Sequence, residues 1–158
     1  MKISNPLKLI IAIIVCQLTG LIGSVFTTPS ITNWYAEIIK PTLTPPSWVF
    51  APVWTTLFVL MGISAFLVWK KGLDHKDVRI ALTIFILQLI LNTFWSVIFF
   101  GLHNPGGALI EIILLWTTIL ITITVFYKIS KPAGWLLFPY ILWVSFAVYL
   151  NYSIWMLN

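Results

Sequence analysis

Five long runs of apolar positions, separated by mostly short polar breaks, organise this chain. They cover about Leu7–Thr28, Ser47–Trp69, Arg79–Phe100, Pro105–Tyr127 and Ala133–Trp155. Each is close to the ~20 residues that a helix needs to cross the hydrocarbon of a bilayer. Periodicity carries little weight here, because a helix surrounded by lipid can be apolar on every side. No backbone donor can stay unpaired in hydrocarbon, and strands would have to close into a barrel. The pattern therefore predicts an all-α membrane protein, a five-transmembrane-helix bundle forming one domain over residues 1–158.

The breaks are unequal. Those around Lys70–Val78, Gly101–Asn104 and Lys128–Pro132 are short and make neighbouring helices antiparallel. The first, Pro29–Pro46, is long and carries Trp34, Tyr35, Lys40, Pro45 and Pro46. Long ordered loops are often functional. This one predicts a lid, with a short helix around Thr32–Ile39 and an extended Pro-rich return. Lys2 and Lys8 ahead of the first run resemble the start of a cleaved leader. The run is longer than a usual leader core, however, so it is read as a retained helix.

Composition agrees with membrane burial. Apolar residues make up 60% of the 158 and charged residues 8%, against roughly 45–50% and about 25% in soluble domains. The net charge of +5 is not a nucleic-acid signal, because the cations sit at the ends of apolar runs. Lys2, Lys8, Lys70, Lys71, Lys76, Arg79, Lys128 and Lys131 fall on one side of an alternating topology, and Lys40 alone on the other. The positive-inside rule then places the N-terminus in the cytoplasm and the first loop and C-terminus outside. Cys16, the single cysteine, lies mid-run and reads as a small buried apolar side chain.

Nine tryptophans need sorting. Trp48, Trp69, Trp135 and Trp155 fall at predicted helix ends, where an interfacial belt accounts for them. Trp54, Trp95, Trp116 and Trp143 lie deeper. At ~1.5 Å of rise per residue, Trp54 lies roughly 10 Å and Trp95 roughly 8 Å below the outer helix ends, with Asn92 roughly 12 Å and Glu111 roughly 9 Å deep. Trp143 lies near the middle of the fifth run and Asn151 near its outer end. This depth pattern predicts an aromatic cavity beneath the first loop, mostly apolar with a few polar groups. Packing or lipid contact remains an equal alternative for any one indole. Pro52 and Pro139 are expected to bend the second and fifth helices and widen the space between them.

Glu111 is the single carboxylate within a predicted span, and an intramembrane ionisable group is a functional candidate by default. The alternative is an inward carboxyl hydrogen-bonded to Asn92, a tryptophan or a tyrosine. No second charged group accompanies it, which disfavours ion-coupled transport. His75 and His103 fall in loops on opposite sides and cannot share a metal. No catalytic pair, metal cluster or phosphate loop is present, so no cofactor and no catalytic residue is assigned.

The segment Trp34-Tyr35-Ala36-Glu37-Ile38-Ile39-Lys40-Pro41, followed by Pro45-Pro46-Ser47-Trp48-Val49-Phe50-Ala51-Pro52-Val53-Trp54, resembles the signature of the TspO/translocator family. So do Gln88-Leu89-Ile90-Leu91-Asn92, Trp95, Ile98-Phe99-Phe100-Gly101, and Pro139-Tyr140-Ile141-Leu142-Trp143 running to Phe146-Ala147 and Leu150-Asn151-Tyr152. The resemblance spans essentially the whole chain. It implies a five-helix bundle, homodimeric in many members, with a cavity facing the first loop. It also implies porphyrin ligands, notably protoporphyrin IX, and isoquinoline or benzodiazepine-type drugs. In bacterial relatives, light-dependent porphyrin breakdown is linked to two cavity tryptophans that match Trp54 and Trp143. Asn92, Trp95, Ala147 and Leu150 match other cavity positions, and Glu111 an acidic position in the fourth helix. The family's sterol motif is broken here, since Tyr152 is followed by Ser153-Ile154-Trp155-Met156, so cholesterol is not an expected ligand. Leu43 replaces a common loop tryptophan. Gly107 replaces an aromatic residue of animal members, which is expected to enlarge the pocket. These departures favour a bacterial plasma-membrane protein.

Two other functions fit the same sequence. One is a facilitator moving small hydrophobic molecules across the bilayer, against which the one-sided placement of polar groups speaks. The other is a membrane regulatory partner with no ligand of its own.

Overall fold

A helix satisfies its own backbone, and in this chain nearly every residue within the five apolar runs adopts one. The computed structural model describes residues 3–158; Lys2, counted above among the cations, lies outside the described residues. In chain order the elements are α1 (Asn5–Thr32), the single turn α2 (Trp34–Glu37), a 3-10 turn (Ser47–Val49), α3 (Phe50–Trp69), α4 (Lys76–Ser96), α5 (Pro105–Ile129), α6 (Lys131–Leu136) and α7 (Phe138–Leu157). A π-helical segment, Val97–Gly101, extends α4. Five spans among the described residues are long and apolar enough to cross a membrane, the fifth being α6 and α7 together. The chain is a multi-pass membrane protein.

Two boundaries differ from expectation. The first helix continues through Pro29 to Thr32. Proline removes one hydrogen bond, but side chains hold the turn that follows. Asn33 Nδ2 donates to the Pro29 carbonyl at 2.9 Å, and Ser30 Oγ donates to the Phe100 carbonyl at 2.7 Å, tying α1 to α4. The expected helix over Thr32–Ile39 correspondingly shrinks to α2. Pro139 falls in the first turn of α7, just after the chain breaks at Leu137, so the fifth span is divided there. Pro52 lies in the first turn of α3, where a missing N–H has no intrahelical partner to lose, and it does not interrupt that helix.

The helices close a ring in which α1 packs on α3 and α4, α4 on α5, α5 on α7, and α6 on α3 and α5. α7 approaches α3 only sparingly. At the lysine-rich end the packing is tight around Met61, Val68, Ala81, Phe85, Ile119, Phe126 and Ala133, all buried. Small residues allow it. A Cβ on Gly62 would stand 2.6 Å from Ile13 Cα, and Ser64 Oγ donates to the Ala133 carbonyl at 2.7 Å. Lys8 at this end places its ammonium 5.8 Å from the Trp69 ring centre. Cys16 is fully buried, as expected. Trp48, Trp135 and Trp155 are largely exposed at helix ends, fitting the belt.

Candidate ligand cavity

Toward the first loop, aromatic rings come in from α3, α4 and α7 and leave a space between the helices. They enclose a cavity of about 350 Å³ bounded by α1, α2, α3, α4 and α7, while α5 contributes no wall. This lies at the lower end of the ~300–1,000 Å³ typical of ligand pockets. Trp54 reaches it from α3 and Trp143 from α7. The Trp54 ring stacks on Phe58 with centroids 5.6 Å apart and meets Tyr140 edge-on at 6.3 Å. Trp143 meets Phe50 edge-on at 5.9 Å. Aromatic pairs in these geometries hold one another in place, so the indoles are fixed parts of the wall.

Polar groups on the wall are tied to the bundle. Asn92 Nδ2 donates to the Tyr140 hydroxyl at 3.0 Å, and that hydroxyl donates to Gln88 Oε1 at 2.8 Å. Trp95 Nε1 donates to Asn151 Oδ1 at 2.9 Å, and Asn151 Nδ2 to the Pro105 carbonyl at 2.7 Å. These bonds consume most of the polarity that a ligand would otherwise meet. The cavity therefore favours flat, largely apolar molecules with few groups to satisfy.

Trp54, Asn92, Trp95, Trp143, Ala147 and Leu150, six of the residues singled out by sequence, share this one cavity. Glu111 does not border it. It occupies the buried face of α5, 7% exposed, and neither carboxyl oxygen has a hydrogen-bond partner among the described residues. The expected bond to Asn92, a tryptophan or a tyrosine is absent because Asn92 is committed to Tyr140 and Trp95 to Asn151. Trp116 also lies off the cavity and donates to Ser145 Oγ at 2.8 Å. Gly107 lies off it as well, in the first turn of α5, where its N–H is capped by Asn104 Oδ1 at 2.9 Å. Its lack of a side chain does not enlarge the pocket.

The loop closes the cavity with different residues from those expected. Trp34, Pro45 and Pro46 are not among the wall residues. Trp34 stacks on His103 at 4.6 Å, 16° from parallel, outside the cavity. Tyr35 is the loop residue on the wall, buried against Phe99 and Phe100, and burial raises its phenol above the ordinary value. Lys40 Nζ lies 4.8 Å from the Tyr35 ring centre and donates to the Tyr35 and Ile38 carbonyls. The Asn158 side chain pairs with the Ile39 backbone, accepting from N at 2.9 Å and donating to O at 3.0 Å.

Sequence reasoning missed the α1 wall, formed by Gln17, Gly20, Ser24 and Thr27 among others. The signal was the run of glycine, serine and threonine from Thr19 to Thr28, small residues that keep one wall thin. It also missed Phe99 and Phe100. Both lie in the π-helical segment, whose wider turn shifts the facing of the residues within it. No cluster of three or more metal-ligating side chains occurs among the described residues.

Comparison with known proteins gives one family. The sequence model of the TspO/MBR family matches residues 12–156. A "Tryptophan-rich protein TspO" of Chlorobaculum tepidum is 43% identical over 152 residues, covering 96% of each chain. One from Archaeoglobus fulgidus is 44% identical over 154 residues, covering 98% of this chain and 99% of the relative. The "Translocator protein" of Homo sapiens is 40% identical over 136 residues, covering 85% of this chain and 80% of its own.

Proposed function

We propose, from the premise that this chain belongs to the TspO/MBR family, that its cavity binds protoporphyrin IX-like tetrapyrroles and related flat apolar molecules. One observation carries the reading: Trp54 and Trp143, on helices remote in sequence, border the same cavity. Two indoles and the Phe50 and Phe58 rings offer large apolar faces on which a macrocycle stacks. Tyr35 at the loop side supplies a hydroxyl near which a ligand's polar edge can lie. The cavity is smaller than a full macrocycle requires, so binding includes outward movement of its thinnest wall.

Light and dioxygen add a second activity to the same arrangement. With dioxygen as the oxidant, an excited porphyrin stacked on Trp54 or Trp143 reacts with the indole, and oxidative breakdown of the ligand follows. No general acid, base or nucleophile is required. We assign the lysine-rich end to the cytoplasm of a bacterial plasma membrane, because Lys8, Lys70, Lys71, Lys76, Arg79, Lys128 and Lys131 gather there and Lys40 lies at the other end.

Titration of the purified protein with protoporphyrin IX, read by tryptophan quenching, tests the reading against the double variant Trp54→Phe/Trp143→Phe. The double variant is expected to weaken binding by about tenfold, equivalent to roughly 1.4 kcal/mol, and to lose photodegradation. Equal affinity and equal breakdown would remove the site assignment.

A further inference from the structure

Three sides of the cavity are closed. The loop end is sealed by Tyr35, Phe99 and Phe100, over which the loop is fastened by Lys40 and Asn158. The α4–α7 side is closed by the Trp95–Asn151–Pro105 hydrogen bonds. Toward the lysine-rich end, Asn92, Tyr140 and Gln88 form a bonded floor. The side between α1 and α3 is built differently. There, Leu21, Ser24 and Thr28 of α1 and Ala51 and Thr55 of α3 border the cavity and are also exposed residues. A residue that does both marks an opening.

The two helices are in close contact below this opening, the last such contact being Gly20 against Phe58, whose Cε2 would stand 2.5 Å from a Cβ there. Gly62 against Ile13 sets the tight crossing. Toward the loop, the cross-link that limits the gap is Gln17 Nε2 donating to the Thr55 carbonyl at 3.0 Å. From Gly20 to Thr28 the slit is ~12 Å tall at ~1.5 Å per residue, which fits within one half of a ~30 Å hydrocarbon layer. It therefore faces acyl chains rather than water. Three of its hydroxyls are spent on their own helices: Ser24 Oγ donates to the Leu21 carbonyl at 2.7 Å, Thr27 Oγ1 to Gly23 at 3.1 Å and Thr55 Oγ1 to Ala51 at 2.8 Å. Such back-bonded hydroxyls present little polarity to a passing group. A molecule crossing the slit breaks no hydrogen bond and desolvates no charge.

We propose that ligands reach the cavity sideways, from the loop-end leaflet through the α1–α3 slit, and not through the loop from water. Ligands of this kind are molecules that first dissolve in the bilayer. The identity of the ligand rests on the binding reading above; the route does not, because any bilayer-soluble reagent tests it. The Gln17–Thr55 bond and the Gly20–Phe58 contact mark the lower limit of the passage, and Ser24 and Ala51 form its opposing lips.

The test uses the full chain in liposomes, with Cys16→Ala removing the native thiol and Ala147→Cys placing one on the far wall of the cavity. An uncharged, bilayer-partitioning maleimide is expected to label that thiol, and a sulfonated maleimide added to the water to label it about tenfold more slowly or not at all, since it lacks the membrane route. Ser24→Phe should slow the apolar reagent by about tenfold by narrowing a passage whose width limits the rate. Ala51→Phe, on the opposite lip, should do the same; both sites are exposed and accept a ring without disturbing the core. Failure of both variants to slow labelling, equal labelling by the charged reagent, or no labelling by the apolar one each overturns the slit. A second arm follows protoporphyrin IX dissolved in the liposomes. The lip variants should slow both association and dissociation of the porphyrin several-fold, and a variant that weakens binding while association keeps its original rate counts against the slit. If the unmodified protein takes up no porphyrin while the lip variants still govern maleimide labelling, the ligand assignment fails and the route stands.

Discussion

The lysine-rich half and the loop half of the bundle are built from the same helices and the same apolar alphabet, yet one is filled and the other is hollow. In the first, glycine, alanine and serine lie at helix crossings: Gly62 on Ile13, Gly134 on Tyr127, Ser64 on Ala133. Lipid is as apolar as leucine, so helices in a membrane gain from close packing and interhelical bonds rather than from leaving water. Small residues supply that closeness. In the second half, Trp54, Trp95, Trp143, Phe50 and Phe58 face one another across a gap, and the fixed bonds of Asn92 and Asn151 brace its walls. The hollow half is thus held open by a scaffold that the filled half anchors. Open volume and tight packing lie at opposite ends of the molecule.

The largest expected effect comes from spoiling the filled half. Gly62→Leu forces a side chain into a space where even a Cβ would stand 2.6 Å from the Ile13 backbone. Overpacking against backbone should cost about 3 kcal/mol, read as lost resistance to unfolding in mixed micelles. An unchanged midpoint would mean that the two halves do not differ in packing as described. Next is Tyr140→Phe at the boundary between them. The hydroxyl joins Asn92 to Gln88, whose Nε2 already lacks a partner. Leaving both amides short should cost about 2 kcal/mol, with ligand affinity falling as the floor loosens. A stability loss with affinity unchanged would show that the floor braces the bundle but not the cavity.

The filled half was more legible in sequence than the hollow one, for a physical reason. Span lengths and cation placement follow from the bilayer alone, and the five runs fall within a few residues of the observed helices. The depth of Trp54, Trp95 and Trp143 likewise follows from rise per residue. Facing does not. Helices apolar on every side give no amphipathic stripe, so depth could not separate Trp143, on the cavity wall, from Trp116, which bonds Ser145 off it. Glu111 stood out because an intramembrane carboxyl is costly, but cost shows that a residue is constrained and not where it points. The loop misled most. Its tryptophan and prolines drew attention, whereas Tyr35 closes the cavity because one turn of helix, α2, aims it inward. The π-helical segment that sets Phe99 and Phe100 has no sequence signal strong enough to read.

Asn158→Ala loosens the loop without touching the cavity wall. Its side chain makes a two-way pair with Ile39 and a third bond, at 2.8 Å, to the Ile154 carbonyl. Exposed bonds of this kind are worth about 1 kcal/mol together. The readout is hydrogen exchange, with faster exchange expected at the Ile39 amide and unchanged protection in α3 and α5. Spread of the effect into α5 would mean that the loop supports the bundle rather than covering it.

The smallest expected stability change is also the sharpest test of the contrast, because it adds volume instead of removing a bond. Ala147 of α7 borders the cavity and is only partly buried, whereas Ala133 of α6 is fully buried in the packed half. The same substitution, alanine to phenylalanine, meets opposite surroundings. At position 133 the ring has no room and should cost about 3 kcal/mol through displaced neighbours. At position 147 it enters a space of about 350 Å³ already lined by aromatic rings. Favourable ring contacts there offset the lost rotamer freedom, so the midpoint should shift by less than about 0.5 kcal/mol in either direction. Binding should respond in the reverse order. A ring at position 147 occupies the volume a macrocycle needs and should weaken porphyrin binding by more than about tenfold, roughly 1.4 kcal/mol. Ala133→Phe, where it still folds, should leave affinity near that of the unmodified chain. Thermal unfolding and fluorescence quenching on the two variants side by side give both readings. If Ala147→Phe destabilises as strongly as Ala133→Phe, the loop half is no less filled than its counterpart, and the cavity has lost the room on which binding depends.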